Sequence, residues 1–183
     1  MIIISTLTLF FCDINGTIEG SSTNKISDYK KFNDIIKEIQ QKNNSDYIIF
    51  SLISSDSSSF VKNKTNFINS FNKNFIIFGK QFFDNGYIDE NKIITGISGK
   101  AQQIIYYINE LSKIYKIDSV IYADDCIIYH DILHELAKNY NLDDIITSII
   151  PTKGKGLSEL NELLENYINS TKEKQKVIQI NYE

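Results

Sequence analysis

Proline and cysteine are scarce in this chain, and the few that occur exclude several architectures. Pro151 is the single proline, so no Pro-rich linker divides the 183 residues into rigidly spaced units. Cys12 and Cys126 lie far apart and match no metal-ligand spacing, which excludes a zinc-finger or disulfide-scaffold reading. Reduced thiols in a reducing, cytoplasmic compartment are the simple expectation. Basic residues never run longer than two in succession, and the formal net charge is -4. A nucleic-acid partner needs clustered positive charge, so this balance argues against one. No internal repeat is visible. The apolar opening from Met1 to Cys12 lacks a basic n-region and a small-residue cleavage site. It also falls short of the ~20 residues a membrane span requires, so a buried strand and no membrane partner are expected.

What is present is ordinary for a globular domain: 42% hydrophobic and 23% charged residues, enough to exclude wholesale disorder. Apolar runs alternate with segments of helical period. Leu7–Cys12, Tyr47–Ile53, Phe75–Phe78, Ser119–Ala123 and Ile145–Ile150 read as strands. A hairpin-like segment is expected around Asp84, Asn85 and Gly86. Helical faces are marked by Phe32, Ile35, Ile36 and Ile39, with Ser27 as N-cap. Others are marked by Phe60, Lys64, Phe67, Ile68 and Phe71; by Ala101, Ile104, Ile105, Ile108 and Leu111; by Tyr129, Ile132, Leu133, Leu136 and Tyr140; and by Leu157, Leu160, Leu163, Leu164 and Ile168. Alternating strands and helices predict a three-layer, Rossmann-like α/β domain over residues 1–170, with a mostly parallel five-stranded sheet. Residues 171–183 form a charged tail with a strand-like stretch at Val177–Tyr182.

In such sheets ligands bind beyond the carboxyl ends of the strands, so the polar residues closing the apolar runs carry the functional signal. Asp13 closes the first run and is followed by Ile14, Asn15, Gly16, Thr17 and Ile18. This presents a carboxylate at a strand end, then a glycine that permits a sharp turn. Ser51 and Ser54 compete as the polar residue at the end of the second run. Lys100 stands just before or within the first turn of a helix. Asp124 and Asp125 follow the apolar strand Val120–Ala123, and adjacent acids repel unless a cation compensates, which makes Mg²⁺ a natural occupant.

The order of these residues, from Leu7 to about Leu164, resembles the haloacid dehalogenase (HAD) superfamily, in a small-cap or capless phosphatase-like form. The resemblance implies a strand order of 5-4-1-2-3, with Asp13 and Asp124 on adjacent central strands. It also implies that Asp13 attacks phosphorus to form an aspartyl-phosphate. Ser51, or Ser54, with Gly16, Thr17 and Lys100 would hold the phosphoryl group. Asp13, Asp124, Asp125 and the backbone carbonyl of Asn15 would hold Mg²⁺. One position departs from the pattern: Asn15 stands where the hydrolases carry a general acid and base. Its amide can neither protonate a leaving oxygen nor activate water. The expected activity is therefore weak on phosphomonoesters and better preserved on acyl phosphates or phosphoanhydrides. The partner would be a phosphorylated small molecule or a nucleotide. The alternative is an impaired relative that binds such a ligand without turnover. No gap between motifs admits a large cap, and small flaps are expected after Thr17 and around Lys80–Asn91. An open site of this kind would also suit enclosure by a second subunit in a homo-oligomer.

Three further patterns have structural explanations. Tyr122-Ala123-Asp124-Asp125 is also the tetrapeptide of reverse-transcriptase palms, but that reading requires a hairpin and a basic cleft. His130 and His134 are four apart, without the glutamate of the zinc-protease pair, and are expected on a solvated helix face. Cys12 and Cys126 are expected to pack in the core.

Overall fold

The computed structural model describes residues 5–21, 23–53, 99–170 and 177–179. The elements run β1 (Thr6–Asp13), α1 (Ile26–Lys42), β2 (Tyr47–Ile53), α2 (Gly99–Leu111), β3 (Lys116–Ala123), α3 (Ile127–Lys138), β4 (Ile146–Ile150), α4 (Leu157–Asn169) and β5 (Val177–Gln179). A short 3-10 turn, Asp143–Ile145, precedes β4. The expected strand at Phe75–Phe78, the Phe60–Phe71 helix, the hairpin at Asp84–Gly86, the Lys80–Asn91 flap and Ser54 all lie outside the described residues.

The strands form one parallel sheet in the order β2-β1-β3-β4-β5. Four of the five expected strands make up its body. The three-residue β5, in the tail, pairs beside β4 at the sheet edge. Read along the expected strands, the order 5-4-1-2 agrees with what the described residues show, and β1 lies between β2 and β3.

Alternation along each strand builds two cores. Phe10, Cys12, Phe50, Leu52, Ile121, Ala123 and Ile149 face α1 and α4; Leu7, Leu9, Phe11, Ile49, Val120, Tyr122 and Ile146 face α2 and α3. The sheet is therefore covered on both sides, as parallel sheets require. Phe10, Phe32 and Phe50 form an aromatic trio with centroids 5.2–6.0 Å apart. Such pairs add ~0.5–1.5 kcal/mol each beyond their buried area.

Three local expectations differ from the structure. The N-cap of α1 is Lys25, not Ser27. The Asp28 carboxylate accepts from the Lys25 backbone N–H at 2.8 Å and places negative charge on the helix's positive end. In α3 the buried stripe is His130, Leu133 and Ala137, while Ile127 and Ile128 are exposed, and the exposed Tyr140 lies beyond the helix end. His130 was expected on the solvated face. Helical phase admitted it to the core once its two ring nitrogens found partners, a condition invisible to hydropathy. Cys12 is fully buried as expected, and burial pushes its thiol well up, away from reactivity. Cys126 is instead the half-buried N-cap of α3.

Candidate active site

Register brings the acids together. Cys12 pairs with Ala123, so Asp13 and Asp124 emerge side by side where β1 and β3 end. Asp125 follows and leads into α3 through Cys126 rather than into a hairpin, which removes the palm-like reading. Ligand oxygens from Asp13, Asp124 and Asp125 lie within 4.8 Å of one another.

Lys100, in the first turn of α2, reaches between two of them. Its ammonium donates to Asp13 Oδ1 and to Asp124 Oδ2, each at 2.7 Å, with all three side chains buried. A lysine at a helix N-terminus opposes the macrodipole, so local sequence does not favour it there; the two carboxylates hold it. Its ammonium also lies 4.5 Å from the Tyr129 ring centroid on α3. Burial pulls the Lys100 ammonium down, but the Asp13 and Asp124 carboxylates outweigh it and leave it above its usual value.

Asp13 behaves differently. Burial pushes its carboxyl up to about 7, against the pull of Lys100 and with the repulsion of Asp124. Burial, then Asp124, also raises Asp125, partly offset by its hydrogen bonds and by Lys153. Three carboxylates thus share one small site with an ammonium that pairs with two of them, and a divalent cation would relieve them. The donor set is hard oxygen only, which suits Mg²⁺ rather than a thiophilic metal.

Thr17 ties the loop after β1 to the acid pair. Its hydroxyl lies 3.4 Å from Asp13 Oδ2 and 3.3 Å from Asp125 Oδ1, and it accepts the Asp125 backbone N–H at 3.0 Å. Gly16 has φ +85°, and a Cβ there would stand 2.7 Å from an Asp125 carboxylate oxygen. The glycine is required by both conformation and space. Gly16→Ala should lower stability by ~1–3 kcal/mol, read by urea unfolding. An unchanged midpoint would show that the Asp125 carboxylate moves aside without cost. The Gly16 N–H itself is spent inside the loop, on the Glu19 carbonyl at 2.9 Å. Asn15 is exposed at the same turn. The loop is also stitched to the β4–α4 connection, through Gly154 N–H to the Gly16 carbonyl and Ser21 N–H to the Gly154 carbonyl, both 2.8 Å.

Ser51 is buried but stands apart from this cluster. It pairs with Phe11, while Asp13 pairs with Ile53, so Ser51 lies two residues back along the strand, ~7 Å. Its hydroxyl donates to the Leu52 carbonyl at 3.3 Å.

Several contributors were not anticipated. The Tyr122 hydroxyl donates to Asp124 Oδ2 at 2.6 Å, and burial, then Asp124, pushes the phenol well up, keeping it a donor. The Cys126 N–H donates to Asp124 Oδ1 at 2.9 Å. His130 Nε2 lies 2.9 Å from the Asp124 carbonyl, and burial holds its ring below the usual histidine range. Tyr122 had a signal: it precedes Asp124 by two, the strand period. His130 had none. Among the described residues, no helix is long and apolar enough to cross a membrane. No protein-family model, curated protein or solved structure matches this chain.

Proposed function

We propose that this chain is a Mg²⁺-dependent phosphohydrolase or phosphotransferase of the HAD-like kind, acting through an aspartyl-phosphate on Asp13. The observation that carries the proposal is the buried Lys100 ammonium, 2.7 Å from both Asp13 and Asp124, with Asp125 completing a compact acid group. A structural scaffold gains little from two acids and a lysine buried together beside a half-buried third acid, since desolvation opposes them. A phosphate site needs that combination.

Asp13, Asp124 and Asp125, with the backbone carbonyl of Asn15, would hold Mg²⁺. When bound, it would offset the charge of the phosphoryl group and favour the ionised form of the acids. The ionised Asp13 oxygen attacks phosphorus as the bond from phosphorus to the leaving oxygen breaks. Lys100 neutralises charge beside the reacting oxygens, and the Thr17 hydroxyl orients the carboxylate. The leaving oxygen takes its proton from water, because the Asn15 amide cannot supply one. Water then attacks the aspartyl-phosphate, releasing phosphate and restoring Asp13; another acceptor in its place gives transfer. Leaving groups that need no proton, as in acyl phosphates and phosphoanhydrides, fit best. Phosphorylated small molecules or nucleotides are therefore the substrate class.

Phosphate release from phosphomonoesters, acyl phosphates and nucleotides, with and without Mg²⁺, tests this. Turnover should require the metal and fall at least ~10⁴-fold in Asp13→Ala. Metal-dependent release that survives in Asp13→Ala would overturn the assignment. Asn15 also favours a second reading, binding of a phosphorylated ligand without turnover. Ligand affinity that depends on Lys100, with no phosphate release, would select it.

A further inference from the structure

Behind the acid pair lies a chain of polar groups that the proposed chemistry does not use. Asp143, in the 3-10 turn, has Oδ1 2.6 Å from His134 Nδ1. His134 Nε2 is 2.8 Å from Ser148 Oγ on β4, and Ser148 Oγ is 2.8 Å from His130 Nδ1. His130 Nε2 is 2.9 Å from the Asp124 carbonyl. Ser148 and His130 are buried, and His134 and Asp143 are about a fifth exposed.

Hydrogen-bond chemistry fixes both ends of this chain. A carbonyl only accepts, so His130 Nε2 carries a hydrogen. A carboxylate only accepts, so His134 Nδ1 carries one as well. The Ser148 hydroxyl stands between the two remaining ring nitrogens, 2.8 Å from each, and links the rings. Ser148 with His134 and Asp143 has the connectivity of a hydrolytic triad, but its buried hydroxyl is held between two rings and offers no nucleophile.

We propose that Asp143, His134, Ser148 and His130 are positioning residues, one hydrogen-bond chain that fixes the Asp124 backbone and so aims Asp124 and Asp125 at Asp13. The consequence for metal binding rests on the function proposed above; the chain itself does not. Outer partners of this kind typically change metal affinity ~10–100-fold.

Nitrogen-15 spectra of the metal-free protein near pH 7 read the chain directly. His130 should carry a hydrogen on Nε2, and His134 a hydrogen on Nδ1. A His130 ring without a hydrogen on Nε2, or a His134 ring without one on Nδ1, would overturn the assignment. Ser148→Thr and Ser148→Val then separate the hydroxyl from packing, since the two side chains match in size. Mg²⁺ binding by calorimetry should be at least ~10-fold weaker in the Val variant than in the Thr variant; equal affinities would refute positioning. If the native protein binds no Mg²⁺, the proposed function fails on its own. Amide exchange at Asp124–Cys126 then decides the positioning role: at least ~10-fold faster in the Val variant supports it, and equal rates reject it.

Discussion

Replacing Lys100 with methionine should destabilise the metal-free protein by about 3–5 kcal/mol at pH 8. The substitution keeps the buried stem of the side chain and removes only the charge that Asp13 and Asp124 share. Two adjacent carboxylates would then be buried without a counterion. The loss should shrink at low pH, and the sign follows from Asp13. Its folded-state carboxyl is pushed up to about 7, while an unfolded aspartate titrates near its ordinary value of about 4. Between those values the folded protein keeps a proton that the unfolded chain has released. Stability is therefore fullest below pH ~4 and falls as pH rises through ~7. Removing Lys100 takes away a cause that lowers Asp13, so the variant should lose still more over that window and beyond it. Added Mg²⁺ should recover part of the loss at pH 8. Urea unfolding at pH 5 and pH 8, with and without Mg²⁺, reads all of this. A loss that is equal at both pH values would mean that packing of the lysine stem, not its charge, holds the site.

Asn15→Asp should raise turnover of phosphomonoesters by ~10²–10⁴-fold, the usual range for general acid–base catalysis. Asn15 is exposed in the turn two residues after Asp13, and the substitution changes only its amide to a carboxyl. The gain should be largest for poor leaving groups and small for acyl phosphates, whose leaving oxygen needs no proton. That selectivity separates a restored acid from a general improvement in folding or metal affinity. A uniform gain across leaving groups, or none at all, would count against Asn15 as the missing acid. Steady-state kinetics over a leaving-group series gives the answer.

Much of the site was legible because strand ends are marked in one dimension. Asp13 and Asp124 each close an apolar run, and adjacent parallel strands of matched register bring such residues together. Lys100 was visible as a cation beside a helix start. Ser51 was harder to place. The apolar run Tyr47–Ile53 coincides with β2, and Ser51 lies inside it rather than at its end. The histidines were misjudged for a related reason. Hydropathy ranks His130 as polar, yet burial is settled by partners: Ser148, eighteen residues away, and the Asp124 carbonyl, six away. Thr17 and Asp125 meet across 108 residues, a pairing that no local pattern reports.

The sequence by itself determined the alternation of strands and helices, the two-sided burial of the sheet and the identity of the charged residues at its carboxyl edge. Those follow from period, hydropathy and chain order, which are local. Only the tertiary structure decided that one ammonium serves two carboxylates, that Gly16 leaves room for the Asp125 carboxylate, and that two histidines stand in line behind Asp124. Hydrogen bonds and charge pairs act over about 3 Å, and only folding brings residues distant in the chain within that reach.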